Sequence, residues 1–165
     1  MSGYHRGPIL TRLFRVRFPS RLYDRGLGWL LGGRICRITH LGRRSGRSYR
    51  TVLEVVGRDQ RTGEVLVVSG LGPTADWYRN VLANGSAEVE TGRRHFAADV
   101  RVPSEDEAIA TFAAYEHHNR WIRPLLRHLL SKLLGWKYDG SAPSRRRLVQ
   151  QLPMVAFTPT EPAPR

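Results

Sequence analysis

"TVLEVVGRDQRTGEVLVVSG", residues 51–70, is the stretch on which the fold turns. It holds two Val-rich runs, TVLEVVG (51–57) and EVLVVSG (64–70), rich in the β-branched residues that suit a pleated, half-buried surface. The linker RDQRTGE carries a glycine turn signal, so the pair reads as two strands joined by a short connection. Upstream, RICRITHL (34–41) alternates in the manner of a third strand. Downstream, ADWYRNVLAN (75–84) reads as a short helix. Thr74 or Asp76 is placed to cap its start, and Asn84-Gly85 to end it.

The rest of the chain follows the same logic. AEVET and RHFAADVRV form a hairpin around Gly92. SEDEAIATFAAYEHH opens with a capping box from Ser104 to Glu107. WIRPLLRHLLSKLLGW is helical beyond Pro124, RRRLVQQL is a short helix, and MVAFTP a last strand. Strands and helices do not alternate, which disfavours a doubly wound parallel sheet. No G-x-G-x-x-G follows a strand, and no Walker loop occurs. The reading is α+β: a small, mostly antiparallel barrel with helices packed outside.

A chain of 165 residues suits one domain with a real core. Residues 1–33 form a basic segment of helical character, 34–158 the barrel domain, and 159–165 a Pro-rich tail read as disordered. Within the first segment, residues 8–31 mix Leu, Phe, Tyr and Trp with Arg, and Pro19 breaks them in two. They read either as two short helices over the core or as a basic amphipathic surface for a membrane. The apolar patches LGWLLGG and LLSKLLGW are far short of the roughly 20 residues that span a bilayer. With no secretory signal, a cytoplasmic protein is expected, with the inner face of the plasma membrane as a possible place of contact.

The single cysteine, Cys36, excludes an internal disulfide, and its strand context reads as a buried, inert thiol. Zinc-ligand spacings are absent, and His117 and His118 point in different directions on a helix, so no metal site is expected. Charge is uneven. The net +13 concentrates in residues 1–50, where 12 arginines face one acid. That asymmetry calls for an anionic partner. A nucleic acid is disfavoured, because no DNA- or RNA-binding motif is visible.

Two stretches carry chemistry. In GRRSGR (42–47) the glycines permit tight turns and close backbone approach, and Arg43, Arg44 and Arg47 match phosphate oxygens. Consecutive N–H groups in such a turn can form an anion nest. In VVSGLGPTADWYRNVLAN (67–84) a strand enters a Gly-Gly-Pro loop and then a helix with Trp77 and Tyr78 in its first turn. A helix start favours anions, and the aromatic pair could wall a flat ring or anchor the helix in the core.

LGRRSG, the Val-rich strands, VVSGLGP..DWYRN.LAN and VETGRRHFAADVR together resemble the deazaflavin-dependent nitroreductase family of actinobacteria, over roughly residues 30–158. The resemblance implies a split β-barrel and the deazaflavin coenzyme F420, with flavin mononucleotide as the alternative cofactor. It implies a phosphate-and-glutamate tail on Gly42, Arg43, Arg44, Ser45 and Gly46, with Arg47 and Arg50 beside it, and a ring against Ser69, Gly70, Trp77 and Tyr78. Two departures stand out. Tyr49 and Val52 replace the residues of a PRxxPL stretch, displacing Arg50 by one, and Gly70 replaces a Lys. The implied activity is hydride transfer from reduced F420 to a small acceptor, a quinone, enone or nitro compound. The implied assembly is a monomer or homodimer. Tyr78, Tyr115 and His118 are the candidate proton donors. The alternative is a lipid- or membrane-surface protein of the same fold without redox activity.

Overall fold

A computed structural model of the chain describes residues 33–160. The expected helical front, including residues 8–31, falls outside them, as does most of the tail. Six strands form a closed antiparallel barrel in the order β1-β2-β3-β6-β5-β4. They are β1 (Ile35–Leu41), β2 (Ser48–Arg58), β3 (Val65–Val68), β4 (Ser86–Thr91), β5 (Arg94–Arg101) and β6 (Met154–Pro159). Helix α1 (Asp76–Asn84) lies between β3 and β4. Helices α2 (Glu105–His118), α3 (Arg123–Leu134) and α4 (Ala142–Gln151) separate β5 from β6. The α+β small barrel with outer helices read from the sequence is the fold observed.

Period-two alternation builds two cores from the same strands. Val55, Val65, Val67, Val155 and Phe157 point into the barrel, with Cys36, Ile38 and Val89 from β1 and β4. Ala75, Trp77, Tyr78 and Val81, from α1 and the residue before it, complete that interior. The intervening Val56, Leu66, Met154 and Ala156 face outward, under Phe112, Leu130, Leu134 and Leu148 of the helical layer. Strands covered on both faces read as continuous apolar runs, which is why VLVV and MVAF carry no polar alternation.

Several local readings need correction. Ala75, not Thr74 or Asp76, occupies the N-cap of α1, without a side-chain bond, because Asp76 turns to Arg43 instead. Gly85 ends this helix at φ 72°, as expected. Only half of the capping box forms: Ser104 accepts from the Glu107 N–H, while the Glu107 carboxylate is taken by Arg101 at 2.7 Å. Helix α4 begins at Ala142, three residues before RRR, because Ser141 caps it through the Ser144 N–H. Strand β2 begins at Ser48, paired with Leu41, three residues before the Val-rich run, which leaves Gly42–Arg47 as the loop. The barrel also runs past residue 158: Pro159 pairs with Ala98, and the Thr160 N–H donates to Ala97.

Cys36 is buried, and burial pushes its thiol up to about 12, so it is inert at physiological pH. Phe157 has no exposed surface and stands opposite Val65 and Val100 in neighbouring strands. Phe157→Ala is expected to cost about 3–5 kcal/mol in urea unfolding followed by circular dichroism. A loss below about 1 kcal/mol, the range of surface changes, would contradict the packing described.

Candidate functional site

The arginine loop is the turn of the β1–β2 hairpin. The Gly42 N–H donates to the Arg47 carbonyl and the Gly46 N–H to the Gly42 carbonyl, both at 2.8 Å. Gly46 has φ 65°, a left-handed value that suits glycine. Gly42 is needed for space: a Cβ there would lie 2.6 Å from Ser45 Oγ and 2.8 Å from a Tyr49 ring carbon. The Arg47 N–H donates to Ser45 Oγ. Among the described residues, this leaves the N–H groups of Arg44 and Ser45 without a protein partner. The anion nest is thus two adjacent donors rather than the whole loop.

Helix α1 holds the loop in place. Asn80 Oδ1 accepts from the Arg43 backbone N–H at 3.1 Å and from Arg43 Nη1 at 2.9 Å. The same Nη1 meets Asp76 at 3.1 Å. One turn on, Asn84 Nδ2 donates to the Leu41 carbonyl at 2.8 Å. Arg43 is therefore largely committed to the protein. Arg44 and Arg47 are exposed and have no ion-pair partner among the described residues.

Behind the loop lies His40, only 4% exposed. Because Asn80 Oδ1 is taken by Arg43, its Nδ2 faces His40 Nδ1, at 3.4 Å, and donates to it. An accepting Nδ1 places the ring proton on Nε2, which donates to Thr51 Oγ1 at 3.2 Å. With its oxygen engaged as acceptor, the Thr51 hydroxyl keeps its own proton for a molecule in front of it. Burial holds the His40 pKa below its ordinary 6.5, so the ring is neutral at neutral pH. Tyr49 stacks on His40, with centroids 6.0 Å apart and planes 24° apart.

These groups share one cavity of about 620 Å³. Gly42, Arg43, Arg44, Ser45 and Arg50 form its basic end, and Leu71, Ala75 and Trp77 its apolar wall. His40, Tyr49, Thr51, Asp76 and Asn80 supply the remaining polar lining. The structure thus brings together six of the residues singled out from the sequence. Gly46 and Arg47 belong to the loop but do not line the cavity.

Five others sit elsewhere. Ser69 is fully buried, and its hydroxyl donates to the Gly72 carbonyl at 2.7 Å, locking the turn before α1. Gly70 lies in that turn, outside the lining. Tyr78 is a core residue, edge-on to Trp77, and burial raises its pKa. Tyr115 belongs to α2, outside the lining; its hydroxyl donates to Glu54, and burial with that carboxylate pushes its pKa well above the usual phenol range. His118 is exposed at the end of α2. No metal-binding cluster occurs among the described residues.

Sequence reasoning passed over His40, Thr51 and Asn80. A signal for His40 existed: Cys36, Ile38 and His40 fall on one strand face, so His40 is the polar end of an inward row. Asn80 follows Trp77 by three residues, on the same helix face. Since folding lowers the His40 pKa, the unfolded chain binds more protons as pH falls below 6.5. The stabilising effect of the neutral ring is complete above that value and is lost as pH falls through the folded pKa. His40→Gln is therefore expected to lose less stability than the wild type between neutral and mildly acidic pH in urea unfolding. Equal losses would show that His40 titrates as it does in water.

The sequence model of the F420H(2)-dependent quinone reductase family matches residues 18–121, more than half of the chain. No curated protein matches the chain significantly. Among solved structures, a protein of unknown function from Agrobacterium tumefaciens superposes with TM-score 0.52 at 11% identity, over 78% of this chain and 49% of its own. The chain thus spans about half the length of that protein, and the likeness supports the fold alone. An F420-H2 dependent reductase (FDR-A) superposes with TM-score 0.44 at 20% identity, over 75% of this chain and 93% of its own. A pyridoxamine 5'-phosphate oxidase-related, FMN binding protein from Nostoc punctiforme gives TM-score 0.44 at 15% identity, over 88% and 80%. On the family match, the chain belongs to the F420H(2)-dependent quinone reductase family, an oxidoreductase whose cofactor is coenzyme F420.

Proposed function

We propose that the cavity between the arginine loop and α1 holds the coenzyme, and that the chain reduces a quinone-type acceptor there. One observation carries the reading. A single cavity joins the exposed Arg44 guanidinium and the free N–H groups of Arg44 and Ser45 at one end to a Trp-lined apolar wall at the other. Its volume, about 620 Å³, lies within the usual range for small-molecule sites. A ligand with an anionic tail and a flat ring fits both ends. When bound, reduced F420 supplies a hydride; binding, orientation and exclusion of water fall to the chain.

Each residue then has a task. The Arg44 side chain and the N–H groups of Arg44 and Ser45 take the tail's anionic oxygens, with Arg50 adding charge. Arg43, bonded to Asn80 and Asp76, fixes the loop rather than carrying the main charge. Trp77, Leu71 and Ala75 flank the ring and dry the site. Thr51, polarised by His40 Nε2–H, offers a hydroxyl donor to the cavity. It suits an oxygen on which negative charge develops, as in a quinone or enone carbonyl. This reading gives Thr51 the donor role for which Tyr78, Tyr115 and His118 are the candidates in the sequence. Nitro compounds present similar oxygens and belong to the same acceptor class. The reading places the chain on the cytoplasmic side of the cell, as a monomer or homodimer.

Titration of the protein with oxidised F420, followed by fluorescence, is expected to saturate, while flavin mononucleotide binds more weakly. Arg44→Ala is expected to weaken F420 by roughly tenfold or more, the worth of a charge-assisted hydrogen bond. Unchanged affinity in that variant would remove the loop from the site. Thr51→Val is expected to lower the rate of quinone reduction with little change in F420 affinity. An equal loss in both would make Thr51 a coenzyme contact instead.

A further inference from the structure

The start of α3 carries a second surface, none of whose residues lines the cavity. Trp121 is 85% exposed, Leu125 57% and Ile122 48%. The helical turn before α3 and the first turn of α3 present them together; Trp121 and Leu125 stand four residues apart. The opposite face of α3 is committed to the core through Leu130 and Leu134. Trp121 is thus almost free of packing among the described residues, and Ile122 and Leu125 leave about half of their surface uncovered.

Charge surrounds them. Residues 117–137 contain Arg120, Arg123, Arg127, Lys132 and Lys137 and no acid. Glu116, just before, is buried and pairs with Arg145 at 2.7 Å and with Arg127 at 3.9 Å, so it offsets Arg127 but leaves the charge of Arg120, Arg123, Lys132 and Lys137. Arg120 lies over the Trp121 ring at 5.5 Å, a basic group beside an aromatic one. A second copy of the chain is a poor partner for this patch, since a two-fold contact would set these cations against themselves. Residues 1–32 are poor partners too, with six arginines and one acid. Exposed aliphatic and aromatic side chains ringed by Arg and Lys match the interface of an anionic bilayer. There, Trp and Leu enter the headgroup boundary while cations meet lipid phosphates.

We infer that the Arg120–Leu125 corner is a membrane-docking wedge for anionic lipid surfaces. It is a different stretch of sequence from residues 8–31, and the family match ends within it, at residue 121. It depends neither on the coenzyme site nor on the acceptor.

The test uses the full chain and sedimentation with vesicles of phosphatidylcholine, with or without phosphatidylglycerol. The wild type is expected to bind the anionic vesicles and to show a blue-shifted tryptophan emission as Trp121 leaves water. Trp121→Ser/Leu125→Ser should bind them at least about tenfold more weakly, as the loss of two interfacial anchors implies. Both side chains are exposed, so thermal unfolding and F420 titration should match the wild type. Lys132→Glu should weaken vesicle binding without touching the apolar anchors. Wild-type and doubly substituted proteins binding anionic vesicles equally would overturn the inference and shift the contact elsewhere. So would a wild type that ignores the vesicles, whether or not it binds duplex DNA.

Discussion

Closure of the barrel through β1 is the constraint on which the rest depends. This strand pairs with β2 on one side and β4 on the other. Its inward row, Cys36, Ile38 and His40, runs from the apolar interior to the edge of the cavity. A closed sheet leaves no unpaired edge, and every inward residue must find a partner inside. Apolar partners satisfy the first two. The third is polar: Thr51 of the neighbouring strand satisfies one ring nitrogen, and the other is satisfied because α1 brings Asn80 against it. Barrel geometry and site chemistry meet in that contact.

Much of the architecture was legible because the apolar runs are short, Val-rich and bounded by turn residues. The Gly42–Arg47 loop was visible for a different reason: so many cations between two glycines are poor core material. Helix starts were harder. Asp76 has the chemistry of a cap, but a distant arginine competes for its carboxylate, and no local pattern reveals that competition. Glu107 is diverted in the same way by Arg101.

Site residues followed the same division. Arg43, Arg44 and Trp77 announce themselves by residue type. The contact between His40 and Asn80 spans forty positions and is made by the fold alone. Ser69 shows how residue type can leave a side chain's task open. It lies in the stretch that resembles a ring-binding segment, yet its hydroxyl is consumed by the turn that aims α1. Tyr78 and Tyr115 are inviting as acids on paper, but burial raises both pKa values and makes each a poor source of protons.

Trp77 belongs to two structures at once. It is part of the barrel interior and also part of the cavity wall. The apolar contacts that stabilise the fold therefore continue into the surface a ligand would cover. Occupancy and global stability share a thermodynamic cycle, so a ligand of the native state raises the melting temperature, and the gain keeps growing with the logarithm of free ligand after the site is full. A side chain in this shared layer cannot be exchanged to reshape the pocket without loosening the barrel. Variation in acceptor preference is less costly at Leu71 and Tyr49, which line the same cavity but stand on the outer surface.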